Sequence, residues 1–112
     1  MAWEDLDGDG VVELAYVDRP HLAKTLRVWR YEPTSDGETQ LREVATWPGV
    51  TNHRIGWDYI AGGTRNCGQG PEMVLADAGW NTVVSVRFDG TSLTASEIGP
   101  YSAAAIEAAL GC

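Results

Sequence analysis

Asp5-Leu6-Asp7-Gly8-Asp9-Gly10-Val11-Val12-Glu13 constrains this chain more than any other stretch. Carboxylates alternate at positions 5, 7 and 9, and a fourth stands at 13. Held about 5 Å apart, such charges repel by roughly 3 kcal/mol per pair at an effective dielectric near 20. A loop carrying them must open, take up protons or share a cation. Calcium, a hard ion with a flexible shell of oxygens, suits that donor set best. Gly8 and Gly10 supply the backbone freedom to wrap a chain around it. Asp5, Asp7 and Asp9 would offer side-chain oxygens, Val11 its carbonyl, and Glu13 the closing carboxylate.

An EF-hand is excluded twice. Its twelfth loop position requires a bidentate Glu, and counting from Asp5 that position is Tyr16. It also requires a flanking helix on each side, whereas the loop leads into Glu13-Leu14-Ala15-Tyr16-Val17, a short apolar run that reads as a strand. A D-x-D-G-D-G-x-x-E loop running straight into a strand resembles the calcium loops of FG-GAP and VCBS-type repeats, the blades of secreted β-propellers that include the integrin α-subunit head. The resemblance implies Asp5, Asp7, Asp9, the Val11 carbonyl and Glu13 as ligands. The family often has Asp where this chain has Glu13.

Downstream, period-two patterning continues. Thr25 to Glu32 alternates, with Leu26 and Val28 on one side and Arg27, Trp29 and Tyr31 on the other. Asp36-Gly37 predicts a hairpin turn into a third strand, Leu41 to Trp47, which Pro48-Gly49 stops. The second half repeats the order. Gly68 to Asp77 echoes Gly8 to Asp18, Val83 to Phe88 echoes Leu26 to Tyr31, Asp89-Gly90 is again a turn, and Leu93 to Ile98 echoes Leu41 to Trp47. Self-similarity of this kind signals a repeat architecture. Ile55-Gly56 sits where the resembled family has its Phe-Gly, which implies that Trp57 to Ala61 is the innermost strand of the second blade. Five tryptophans and 13 glycines in 112 residues suit aromatic-filled sheets with tight turns.

The expected fold is therefore mostly β: about one and three-quarter antiparallel propeller-type blades with a short C-terminal α-helix. Residues 1–50 form a partial blade with the calcium loop, 51–99 a second blade with a degenerate loop, and 100–112 the helix. That helix is expected from the Ala-rich tail, with Ser102 placed to cap its start and Gly111 to end it. A blade cannot bury both faces alone, and propellers close four to eight of them in a ring. The chain accordingly reads as the C-terminal piece of a longer, bacterial secreted protein. The partners expected are the remaining blades or another copy of the chain. Met1-Ala2-Trp3-Glu4 has neither a basic region nor an apolar run, so a signal peptide is expected upstream and the location is periplasmic or secreted.

Cys67, in the second glycine loop, and Cys112, at the chain end, suggest a disulfide formed outside the cytoplasm. The second loop, Asn66 to Glu72, keeps its glycines but lacks the aspartates, so no ion is expected there.

The formal charge of −8 argues against nucleic acid and anionic membrane surfaces. No apolar run approaches the 18 or so residues of a membrane span. His21 and His53, and the carboxylates Asp58, Glu72 and Asp77, come with no nucleophile elbow, metal-protease motif or paired spacing, so the chain is expected not to be an enzyme, a hydrolase being the last-ranked reading. Trp29, Trp57 and Trp80 could stack on sugar rings or fill the core, and core filling is commoner for a strand Trp. Trp80, in a turn, is the candidate for a glycan- or protein-binding residue, in an alternative lectin-like reading. The leading expectation is a calcium-binding, extracytoplasmic propeller repeat module with a structural or binding role.

Overall fold

The computed structural model describes residues 2–8, 10–19, 21–33, 37–54 and 60–111. They form antiparallel strands and one short helix, the mostly-β class the patterning predicts. The first sheet is a meander of β1 (Ala2–Glu4), β2 (Glu13–Asp18), β3 (Thr25–Pro33) and β4 (Thr39–Pro48), hydrogen-bonded in that order. The second runs β5 (Val50–Thr51), β7 (Pro71–Asp77), β8 (Thr82–Phe88), β9 (Leu93–Pro100), with β6 (Gly63–Asn66) also paired to β7. No sheet among the described residues closes into a barrel.

Alternation dictates which side chains go inward. Along β2 the residues Glu13, Ala15 and Val17 are buried while Leu14, Tyr16 and Asp18 are half-buried. Leu26 and Val28 continue this buried face on β3. They join Met73, Leu75, Val86 and Phe88 of the second sheet in one contiguous apolar cluster. Burying such side chains on two faces at once is what neither sheet could achieve alone. Each long hairpin carries one extra residue on its return strand: Val28 pairs with Ala45 but Trp29 with Glu43, and Val83 pairs with Gly99 but Val84 with Glu97. Such bulges sharpen the local twist.

The helix α1 (Ala103–Leu110) forms where predicted. The Ser102 hydroxyl accepts the Ala105 N–H at 2.9 Å, and the Gly111 N–H donates to the Ala108 carbonyl at 3.2 Å. Gly111 has φ −84°, so the helix ends without the left-handed turn often found there. Ile106 and Ala109 pack on Ala61, Val74 and Val83, on the face of the second sheet opposite the shared core.

One expectation needs adjustment, and one strand was not expected. The strand placed at Trp57 to Ala61 is not found at its described end, since Ile60 and Ala61 lie in no strand; residues 55–59 are outside the described residues. Gly63–Asn66 takes the place beside β7 instead. The likeness to the repeat family implies a strand at Trp57 to Ala61, whereas the residues that pair with β7 are the polar and glycine-containing Gly63–Asn66. Ala2–Glu4, which offers little pattern in so few residues, forms a short strand because β2 leaves a backbone edge for it.

Candidate metal centre

β1 and β2 pair through Glu4 and Glu13, so residues 5–12 are the connection of a hairpin. Leu6 is 2% exposed and plugs this loop into the shared core. Gly8 and Gly10 take φ of 78° and 87°, which residues with a Cβ rarely adopt. That turn aims both of their N–H groups at Asp5, donating to Oδ1 and Oδ2 at 2.8 Å each. The Leu6 N–H donates to Glu13 Oε1 at 2.9 Å. The loop backbone thus orients two carboxylates before any ligand arrives.

Oxygens of Asp5, Asp7 and Glu13 all lie within 4.8 Å of one another. Glu13 is fully buried and the Asp7 side chain is 4% exposed. Burying carboxylates this close together is costly without nearby positive charge. Arg30, whose backbone pairs with Glu13 across β2 and β3, brings one such charge. Its Nη2 lies 3.4 Å from Asp7 Oδ2 and donates to the Gly90 carbonyl at 2.8 Å. Its guanidinium also sits 5.8 Å from the centroid of the Phe88 ring. Three carboxylates and one guanidinium leave two negative charges, before Asp9 is counted.

The donor set fits a hard dication. Carboxylate oxygens are the donors such an ion prefers. Of the remaining predicted ligands, Val11 is half-buried in the segment entering β2. Its neighbour Val12 accepts the Tyr31 N–H at 3.1 Å, tying that segment to β3. Asp9 lies outside the described residues.

Sequence reasoning missed Arg30 and the Asp89-Gly90 turn as neighbours of the centre. A Cβ at position 90 would come within 3.1 Å of Asp7 Oδ2, so the second hairpin closes directly over the first loop. Asp89 holds that turn: Oδ1 accepts the N–H groups of Thr91 and Ser92 at 2.9 and 2.8 Å. These bonds lower its pKa to about 2. A depressed carboxylate contributes stability that is complete above its unfolded pKa and lost as pH falls through the folded value. In chelator, the advantage of the wild type over Asp89→Asn in denaturant midpoint is therefore expected in full above about pH 4 and gone near pH 2. A pH-independent difference between the two would contradict this assignment.

The other sequence candidates are scattered. No cysteine among the described residues is free; Cys112 lies outside them. Trp80 is half-buried, its ring edge-on to Tyr101 at 5.0 Å and covered by the Arg54 guanidinium at 4.8 Å. His21 and His53, 32 residues apart in sequence, meet at 2.6 Å between Nε2 and Nδ1. Asp77 Oδ1 accepts the N–H groups of Asn81 and Thr82 at 2.6 and 2.8 Å. Glu72 faces Arg65 and Arg87. Asp58 lies outside the described residues.

No helix among the described residues is long and apolar enough to cross a membrane. Comparison with protein-family models, curated proteins and solved structures gave no match.

Proposed function

We propose that this chain is a calcium-binding, extracytoplasmic β-propeller repeat module in which the ion is structural and no reaction is catalysed. One observation carries the reading: the fully buried Glu13 carboxylate lies within 4.8 Å of Asp5 and Asp7 oxygens. A cation there would join loop, β2 and, through Asp7 and Arg30, the second hairpin. Likeness of the loop to FG-GAP and VCBS repeats supports the choice of calcium and of a propeller. A disulfide between Cys67 and Cys112 would accord with an oxidising compartment.

The partners proposed are further blades or a second copy. The outer face of the first sheet supports this, since Leu14, Tyr16, Trp29 and Leu41 line an apolar hollow of about 250 Å³ there. Tyr31 and Leu41 are each 44% exposed on this sheet. Apolar surface left open in this way marks a contact site. The lectin-like alternative, with Trp80 as a stacking platform, draws less support because Tyr101 and Arg54 already occupy its ring.

Calorimetric titration of the full chain with calcium tests the proposal. One ion per chain is expected to bind, with magnesium weaker. Asp5→Asn and Asp7→Asn should each weaken calcium at least tenfold, since each removes a charge facing the ion. Absence of calcium binding at millimolar concentration would end the reading.

A further inference from the structure

The outer face of the second sheet is divided. Helix α1 covers its apolar half, over Val74 and Val83. The other half is bare of helix and forms a polar hollow of about 490 Å³, walled by Arg65, Glu72, Ser85, Arg87, Thr94 and Ser96. Strand register puts these together: Arg65 pairs with Glu72, Ser85 with Ser96, and Arg87 with Thr94.

Its charge is unlike that of the chain. Two guanidiniums share the single carboxylate of Glu72, through Arg65 Nε at 3.7 Å and Arg87 Nη2 at 3.4 Å. Both contacts are too long for good hydrogen bonds. The Nε–H groups of both arginines are buried and make no hydrogen bond to a described residue. Among its described lining residues the hollow thus holds one surplus positive charge, in a chain of formal charge −8. The two arginines are also anchored differently. Arg65 Nη1 donates to the Ala109 carbonyl near the end of α1 at 3.0 Å, which commits it to the fold. Arg87 makes two long contacts through Nη2, to Gln69 Oε1 and to Glu72 Oε1, at 3.4 Å each, and its side chain is 40% exposed.

We propose that this hollow binds the carboxylate of an acidic sugar, with Arg87 as the arm that reaches it. A planar guanidinium matches a carboxylate with paired N–H donors. The hydroxyls of Ser85, Thr94 and Ser96 both donate and accept, as ring hydroxyls require. The volume is that of a small-molecule pocket rather than an ion seat. Glu72 has two effects: it holds the arginines in place, and its own charge opposes an arriving anion.

The site is separate from the calcium loop, and its test does not depend on that loop. The full chain is titrated in calcium with glucuronate, galacturonate and an oligogalacturonate, with glucose and acetate as controls. At least one uronate should bind at least tenfold more tightly than both glucose and acetate. Preference for the oligomer over the monosaccharides would make a polysaccharide the source; equal affinity would make it a free acid. Arg87→Ala, and independently Ser96→Asp on an exposed strand position, should each weaken binding tenfold or more without moving the melting midpoint. Glu72→Gln should strengthen it by about tenfold, since a repelling charge is removed. Uronate binding no tighter than glucose, or unchanged in a folded Arg87→Ala or Ser96→Asp variant, would overturn the proposal. So would binding that survives both substitutions and vanishes with chelator, since that would place the acid at the calcium loop.

Discussion

Calcium added to the chelated chain should raise its melting midpoint by about 15 °C. A ligand that binds only the folded state stabilises by RT ln(1 + [L]/Kd), about 4 kcal/mol at a thousandfold excess. A domain of this size shifts by about 4 °C per kcal/mol. The sharper expectation concerns Glu13. Glu13→Gln keeps the size of the side chain and an oxygen to accept the Leu6 N–H, now at 2.9 Å, but removes a buried charge from beside Asp5 and Asp7. In chelator this variant should therefore melt at or above the wild type, because the carboxylates repel less. In calcium it should fall well below, because the ion loses its most buried ligand. The two melting curves thus exchange order with the metal. A wild-type midpoint indifferent to both chelator and calcium would remove the ion from the account, and a variant that simply loses stability in both conditions would make Glu13 an ordinary packing residue.

Opening a bridge between Cys67 and Cys112 should cost about as much. In the chain-entropy treatment, closing the 46 residues from 67 to 112 restricts the unfolded chain by about 4 kcal/mol. The loss should be largest at the end of the molecule that the bridge would hold. There α1 rests on Val74 and Val83 through the buried Ile106 and Ala109, flanked by Ala105 and Leu110 and assisted by the bond from Arg65 to the Ala109 carbonyl. Reduction, or Cys67→Ser, should lower the denaturant midpoint and expose the α1 amides to hydrogen exchange before those of β7 and β8. Calcium affinity should hardly change, because the loop of Asp5 to Glu13 belongs to the other sheet. Thiol titration of the unreduced, unfolded chain should find no free cysteine. Two reactive thiols there, or a midpoint that reduction leaves in place, would remove the bridge.

These two outcomes concern features of different legibility. The loop could be read because its information is local. Charge crowding, two glycines at left-handed positions and the adjoining strand all lie within a few residues of one another. The hairpins were readable for the same reason, since alternation and Asp-Gly turns act over short spans, and Ser102 announced a helix start by its own side chain. β6 was missed because its pairing with β7 leaves little trace in its own composition: Gly63-Thr64-Arg65-Asn66 has no apolar alternation, and β7 supplies the order. The cage around Asp7 was invisible because Arg30 and Gly90 reach it only after the two sheets close on each other.

The amino-acid order alone determined that this chain makes antiparallel strands, that one loop gathers acids, and that the tail is helical, because each arises from forces between near neighbours in the sequence. Tertiary structure decided which charges offset which. Closure of the sheets buried Glu13 and brought Arg30 to Asp7, while the assembled fold joined His21 to His53, covered the Trp80 ring and set two arginines around one glutamate. Most of those contacts link residues far apart in the chain, and no local preference encodes such a pairing until strand pairing and a shared core hold both partners in place.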